Sequence, residues 1–190
     1  VARYADAQRD DEGLGSAALP GDSIRIEQGF YRNNHTKEPL GNVESQANLS
    51  RQKADRMPDG VYRCFPFDST FNWNVHDFGP LYIPRKGDRI TVNQTNYKLY
   101  KQMIEWESKD SLSWKDSKVY IGDKQVRQYR FQSNYYFVAG DKTENSRDSR
   151  YLGLIPEEFI VGVAWKVWKS VDPYTGEYRK GRFWKNIRNN

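Results

Sequence analysis

From Tyr135 to Pro156 the chain reads YYFVAGDKTENSRDSRYLGLIP, which sets Asp141, Glu144, Asn145, Ser146, Arg147, Asp148, Ser149 and Arg150 between two apolar, strand-like segments. A polar knot of this density is costly to order unless its members satisfy one another. Tyr135, Tyr136, Phe137 and Val138 read as a buried strand, Gly140-Asp141 as the turn that ends it, and the span from Ile155 to Val167 as the strands that follow. The knot therefore sits on a loop held at both ends by core. Asp148 and Arg150 lie two apart, so in an extended stretch they share a face and can pair, while Ser146 and Asn145 offer both donors and acceptors.

The segment GDKTENSRDSRYLGLIP resembles the last motif box of bacterial signal peptidase I, whose pattern runs GDNRxxSxDSRYxGxVP. A second segment, Ala18-Leu19-Pro20-Gly21-Asp22-Ser23-Ile24, resembles the LPGDxI that follows the family's catalytic lysine. An ordered match across two boxes is far more specific than a lone glycine motif. The boxes bracket the chain from about Ala17 to Ala164, and the middle matches only weakly.

Size and composition fit a single globular domain with room for a sizeable core. Aromatics make up 15% of the 190 residues, with 13 Tyr and 6 Trp, a composition that favours strands. No stretch approaches the roughly 18 to 20 apolar residues of a membrane span, and the start VARYADAQRDDEGLG is not a signal peptide. The resemblance implies a membrane anchor and a nucleophilic serine upstream of the LPGD box. It therefore implies that this chain is the extracytoplasmic portion of a longer protein.

The net charge of +5, from 30 Lys plus Arg against 25 Asp plus Glu, is small and interleaved with acids, which argues against nucleic acid as a partner. Local basic clusters at Arg179-Lys180-Gly181-Arg182 and Lys185 to Arg188, with Trp184 between them, read first as solvated surface, with contact to anionic lipid as the alternative. The single Cys64 excludes an intrachain disulfide and reads as a small buried hydrophobe rather than a reactive thiol. His35 and His76 have no cysteines or paired carboxylates at ligand spacing, so neither a metal nor a cofactor is expected. Neither histidine falls beside the two boxes in sequence.

Along the chain, residues 1–16 read as a flexible N-terminal segment and 17–190 as one domain with a variable inserted region of about 30–129. Ile24 and Ile26 alternate with polar neighbours as a half-buried strand, and Ile90 with Val92 echoes them after a second Gly-Asp. Asn33 to Trp73 has few apolar anchors and reads as an irregular surface excursion. The only convincing helix follows Thr95 as its cap, with Tyr97, Tyr100, Ile104 and Glu107 along one face. Lys118 to Val126 reads as a hairpin with Gly122-Asp123 at its tip, and Trp165 and Trp168 fall on opposite faces of a strand. The expected fold is mainly β: coiled antiparallel sheets forming a partly closed, signal-peptidase-like barrel with one peripheral helix.

The resemblance also implies chemistry. Family members hydrolyse a peptide bond with a serine nucleophile and a lysine base kept neutral by burial. The lysine's position falls here on Leu14 and its basic neighbour's on Gly15; no lysine precedes Lys37 and no serine precedes Ser16. What the resemblance maps onto this chain are supporting groups. Ser146 stands where a hydroxyl orients the lysine amine, Asp148 and Arg150 where a salt bridge lies beside the site, and Asp141 where a carboxylate faces the lysine's basic neighbour. Lys142-Thr143 replaces the family's Asn-Arg. The same side chains can equally act as turn caps and braces.

Two functions stay open on the sequence. One is the ectodomain of a serine endopeptidase that removes signal peptides from exported preproteins on the periplasmic side of the inner membrane, held there by an upstream anchor absent from this chain. The other is a non-catalytic binding or structural module that has lost the lysine base.

Overall fold

The computed structural model describes residues 17–161, 166–172 and 174–186. In chain order its elements are β1 (Ala17–Ala18), β2 (Ser23–Glu27), β3 (Phe30–Asn33), α1 (Val43–Ser50), α2 (Asp59–Tyr62), β4 (Phe78–Tyr82), β5 (Arg89–Thr91) and α3 (Gln94–Ser108). There follow β6 (Leu112–Lys115), β7 (Lys118–Ile121), β8 (Lys124–Val126), β9 (Gln128–Arg130), β10 (Tyr135–Val138), α4 (Ser149–Leu152), β11 (Ile155–Pro156), β12 (Lys166–Val167) and β13 (Lys185–Asn186). The strands pair antiparallel in the orders β3-β2-β4, β1-β10-β11, β5-β9, β6-β7-β8 and β12-β13. The protein is thus mainly β, as its aromatic-rich composition implies. The ladders remain separate, with no closed barrel among the described residues.

Alternation positions β2 as the sequence predicts: Ile24 and Ile26 are buried while Arg25 and Glu27 face solvent. The register of β2 on β4 shifts between Ile24 and Ile26. Gly79 sits at that irregularity with φ +85°, where a Cβ would fall 2.5 Å from the Ile24 carbonyl oxygen; only glycine fits there. In β10 the consecutive residues Tyr135, Tyr136 and Phe137 are all buried, the pattern of a strand covered on both faces. Tilted ring contacts run from Tyr31 to Phe137 and on to Phe78, and edge contacts join Tyr100, Phe131 and Tyr135. Each such pair contributes about 0.5–1.5 kcal/mol beyond its buried area.

The hairpin of β7 and β8 turns at Gly122-Asp123 as expected. The long helix α3 buries Leu99, Tyr100, Met103 and Ile104, but its cap is Asn93, whose side chain accepts from the Asn96 amide at 2.8 Å. Thr95 lies inside the first turn. The helix therefore begins two residues earlier than the hydroxyl suggests, because an Asn at the cap position reaches the third amide directly. Glu107 on this helix accepts from Tyr129 Oη (2.7 Å), Tyr135 Oη (3.0 Å) and the amides of Gln132 and Ser133 (both 2.9 Å), which fixes the approach to β10.

The stretch expected to be irregular contains the helices α1 and α2, of which α1 is the longer. Asn42 caps it by accepting from the Ser45 amide at 3.0 Å, and its buried face is Ser45, Gln46 and Leu49. Two of those three are polar, so no apolar period marks the helix in the sequence. Their burial is satisfied: Gln46 Oε1 accepts from the Tyr31 amide at 3.0 Å and Gln46 Nε2 donates to the Leu40 carbonyl at 2.5 Å. Cys64 is buried as expected, and burial pushes its thiol up to about 12.

The chain divides into two compact units, with described residues up to Ile160 in one and those from Val161 onward in the other. Within the second, β12 and β13 pair as the arms of a hairpin, with Lys166 opposite Asn186. Asp172 caps its turn by accepting from the amides of Tyr174 (2.9 Å) and Thr175 (3.2 Å). Trp168, Phe183 and Trp184 pack on one another and stay exposed. Trp165, predicted to oppose Trp168 across a strand, lies outside the described residues. No described helix is long and apolar enough to cross a membrane.

Candidate functional site

Strand β10 brings the two sequence boxes together. On one side it pairs with β1, with Ala17 opposite Val138 and Ala18 opposite Phe137; on the other it pairs with β11, with Tyr135 opposite Pro156 and Tyr136 opposite Ile155. The start of the first box and both ends of the second thus share one three-stranded sheet, although more than a hundred residues separate them in the sequence.

The loop between β10 and β11 is held by its own polar groups. Asp148 caps α4: Oδ1 accepts from the Arg150 amide at 3.1 Å and Oδ2 from the Gly140 amide at 3.1 Å. The Arg150 guanidinium grips the same carboxylate with two bonds, Nε to Oδ1 and Nη2 to Oδ2, each 2.9 Å. Nη2 also donates to the Thr143 carbonyl at 2.8 Å and, more weakly, to that of Ser146 at 3.4 Å. Ser149 Oγ accepts from the Val138 amide at 2.9 Å, tying α4 to the strand. Arg150 is 0% exposed. The expected pair is therefore present, but it forms across the first turn of a helix rather than along an extended stretch, because the cap folds Asp148 back over Arg150.

Around this pair the surroundings are aromatic. The guanidinium lies 6.0 Å from the Tyr31 ring centroid and 5.4 Å from that of Tyr151. Burial lowers the proton affinity of Arg150, but the bonds to the Asp148 carboxylate outweigh it and hold the group above its ordinary value. Burial also raises the Tyr31 phenol well above the usual tyrosine range, so it stays neutral. Removing one partner of so buried a pair leaves an uncompensated charge, at a cost of about 3–5 kcal/mol.

Ser146 is half-buried and packs against Gly140 so closely that a Cβ there would fall 2.3 Å from its Oγ. Asp141 is half-buried and makes no hydrogen bond or ion pair among the described residues. Leu14 and Gly15, onto which the resemblance maps the lysine and its neighbour, lie outside the described residues. Of the four supporting positions, Asp148, Arg150 and Ser146 meet around one loop, and Asp141 stands at its edge.

Two contacts were invisible to sequence reasoning. His35, distant from both boxes in sequence, meets the first in space: its Nε2 lies 2.8 Å from Asp22 Oδ1. The other oxygen of Asp22 accepts from the Leu19 amide at 3.0 Å, closing the Leu-Pro-Gly-Asp turn. The Gly21 amide donates to the Ile83 carbonyl (2.7 Å) and the Ile83 amide to that of Asp22 (2.8 Å), so the turn is locked to the chain beyond β4. Second, Ser45 Oγ of α1 accepts from the Thr143 amide at 2.8 Å and donates to the Glu144 carboxylate. Asn42 as a cap residue followed by Glu44 in the first turn is the one local signal of the helix; nothing local reveals its partner. Among the described residues no three His, Cys, Asp or Glu side chains gather as metal ligands.

The family described as "Signal peptidase, peptidase S26" matches residues 17–168. Signal peptidase I of Buchnera aphidicola subsp. Schizaphis graminum is 45% identical over 56 residues, covering 30% of this chain and 18% of the relative. That of Haemophilus influenzae is 37% identical over 57 residues, covering 30% and 16%. That of Buchnera aphidicola subsp. Baizongia pistaciae is 24% identical over 177 residues, covering 90% of this chain and 54% of the relative. The chain thus spans less than a fifth of the length of the first two and about half of the third. No solved structure matches it. With the family match running through both boxes and the sheet that joins them, the chain belongs to the signal peptidase family.

Proposed function

We propose that this chain is the extracytoplasmic portion of a serine endopeptidase that removes signal peptides from exported preproteins, and that residues 17–160 supply its frame and supporting groups rather than the reacting pair. The observation that carries this reading is the junction of the two boxes on β10, with Ser146 and Asp141 on the loop that leaves that strand. In this reading the Ser146 hydroxyl orients a lysine amine, and the Asp148–Arg150 pair keeps the loop that bears it in place. Asp141 faces the position of a basic neighbour, and the preprotein lies extended along an edge of the β10 sheet. The site works at the periplasmic face of the inner membrane, to which an upstream anchor holds the protein.

A second reading, a signal-peptidase-like module without catalysis, is favoured by the residues that the resemblance aligns with the lysine and its basic neighbour, Leu14 and Gly15. A gain-of-function experiment separates the two. The chain is preceded by a segment bearing the family's serine, and Leu14→Lys is introduced. Incubation with a preprotein whose cleavage site ends Ala-x-Ala is followed by mass spectrometry. The peptidase-frame reading predicts cleavage after the last alanine only when both changes are present. No cleavage with both present, from a folded protein, would leave the module reading.

A further inference from the structure

We propose that Ser45, on helix α1 of the inserted region, is a positioning residue for the loop of residues 141–147 and thereby for Ser146. This assignment deepens the peptidase reading and, for its catalytic consequence, rests on it.

Thr143 is 3% exposed, and its main chain is gripped from both sides. Its carbonyl accepts from Arg150 Nη2 at 2.8 Å, and its amide donates to Ser45 Oγ at 2.8 Å. A hydroxyl has one proton to give. That proton goes to the Glu144 carboxylate, so the lone pairs of Ser45 are left facing the Thr143 amide. The contact also draws the Glu144 carboxyl below the usual glutamate range, as a hydrogen bond to the charged form does. Three residues after Thr143 comes Ser146. The link between them is a single tight turn, Thr143–Asn145, closed by the Asn145 amide on the Lys142 carbonyl at 2.8 Å. A turn this short transmits the position of its first residue to its last.

Ser45 can serve as an anchor because α1 is itself fixed. Asn42 caps it at the Ser45 amide, and Gln46 binds the Tyr31 amide and the Leu40 carbonyl. The ring of Tyr31 in turn lies against the Arg150 guanidinium. The helix and the buried ion pair are therefore two jaws on one loop, and both rest on β3. Removing the Ser45 hydroxyl leaves the Thr143 amide buried without a partner and frees Glu144, so the loop is held from the Arg150 side alone. A group that must sit within hydrogen-bond reach of a reacting amine tolerates little displacement. The region with the weakest resemblance to the family thus contributes a part of the site's support.

The test compares Ser45→Ala with Ser45→Thr, which keeps the hydroxyl. In the chain as it stands, hydrogen exchange is expected to accelerate by about tenfold or more at the amides of residues 143–146 in Ser45→Ala. Exchange in β2, β4 and β10 should stay unchanged, and Ser45→Thr should behave as the parent. In the form bearing the upstream serine and Leu14→Lys, Ser45→Ala is expected to lower kcat about tenfold with KM unchanged, and Ser45→Thr to restore it. Unchanged exchange in Ser45→Ala overturns the proposal. So does a Thr variant as loose as the Ala variant, or an active enzyme whose kcat ignores the substitution. Should the restored form be inactive with Ser45 intact, the peptidase reading fails while the exchange comparison still decides the role of Ser45.

Discussion

Two aspartate–arginine pairs in this protein share their chemistry and behave differently in the structure. Asp148 and Arg150 are buried, joined by two bonds of 2.9 Å, and bonded further to the Gly140 amide and the Thr143 carbonyl. Asp172 and Arg179 meet through one contact of 3.4 Å, with side chains 33% and 42% exposed. The first pair closes a loop between strands of a covered sheet; the second decorates the turn of a two-stranded hairpin. Desolvation makes a charge pair consequential for stability, since exposed pairs typically contribute about 0–1 kcal/mol whereas breaking a buried one costs several times that. A polar-rich sequence is therefore a frame in one place and a solvated surface in another, and burial decides which.

The comparison breaks first if Asp148→Ala is harmless. Its expected cost is about 3–5 kcal/mol in chemical denaturation, because Arg150 would keep its burial and lose its counter-ion. An unchanged midpoint would reduce the knot to a surface contact. Next in size, Gly140→Ala is expected to lose about 1–3 kcal/mol, the range for forcing an extra methyl into packed surroundings, since the new Cβ would meet Ser146 Oγ at 2.3 Å. Thermal melting measures it, and a variant as stable as the parent would show that Ser146 has room to move.

How much of this could be read from the sequence depended on the distance between partners. The knot was legible because Asp148, Arg150 and Gly140 lie within one loop and their chemistry is local. Helix α1 was not, because Gln46 and Ser45 are buried by hydrogen bonds to Tyr31, Leu40, Thr143 and Glu144 rather than by an apolar stripe. The contact of His35 with Asp22 likewise joins residues whose neighbours in the chain say nothing of each other. The cap of α3 moved from Thr95 to Asn93 because two capping side chains stand within three residues and only geometry chooses between them.

On the hairpin side, Trp168, Phe183 and Trp184 are exposed together and Lys166 lies over the Trp184 ring at 4.8 Å. Arg179, Lys180, Arg182 and Lys185 follow on the same unit. Weak, salt-sensitive binding to anionic vesicles is expected, each basic side chain near the surface adding about 1 kcal/mol. Lys180→Ala should weaken co-sedimentation by that amount, and equal binding to neutral vesicles would remove the electrostatic part of the account. Arg179→Ala should change stability by less than about 1 kcal/mol, which sharpens the contrast with Asp148→Ala. Acid should open the hairpin turn. The amides of Tyr174 and Thr175 hold the Asp172 carboxyl below its ordinary value. Its stabilisation is therefore complete above the unfolded carboxyl's pKa and is lost as pH falls through the folded one. Amide chemical shifts of residues 174–178 followed into acid would show it, and shifts that stay flat would contradict it.

The central claim is that residues 17–160 are a peptidase frame without its reacting pair. Catalysis needs a serine oxygen to attack and a neutral amine within reach to take its proton, and the resemblance to the family maps its lysine onto Leu14. The direct measurement is incubation of the chain as given with a preprotein whose cleavage site ends Ala-x-Ala, followed by mass spectrometry of the products. The account predicts an intact preprotein. Specific cleavage after the last alanine, abolished by Ser16→Ala or Ser146→Ala, would contradict it and place a nucleophile and base within the chain itself.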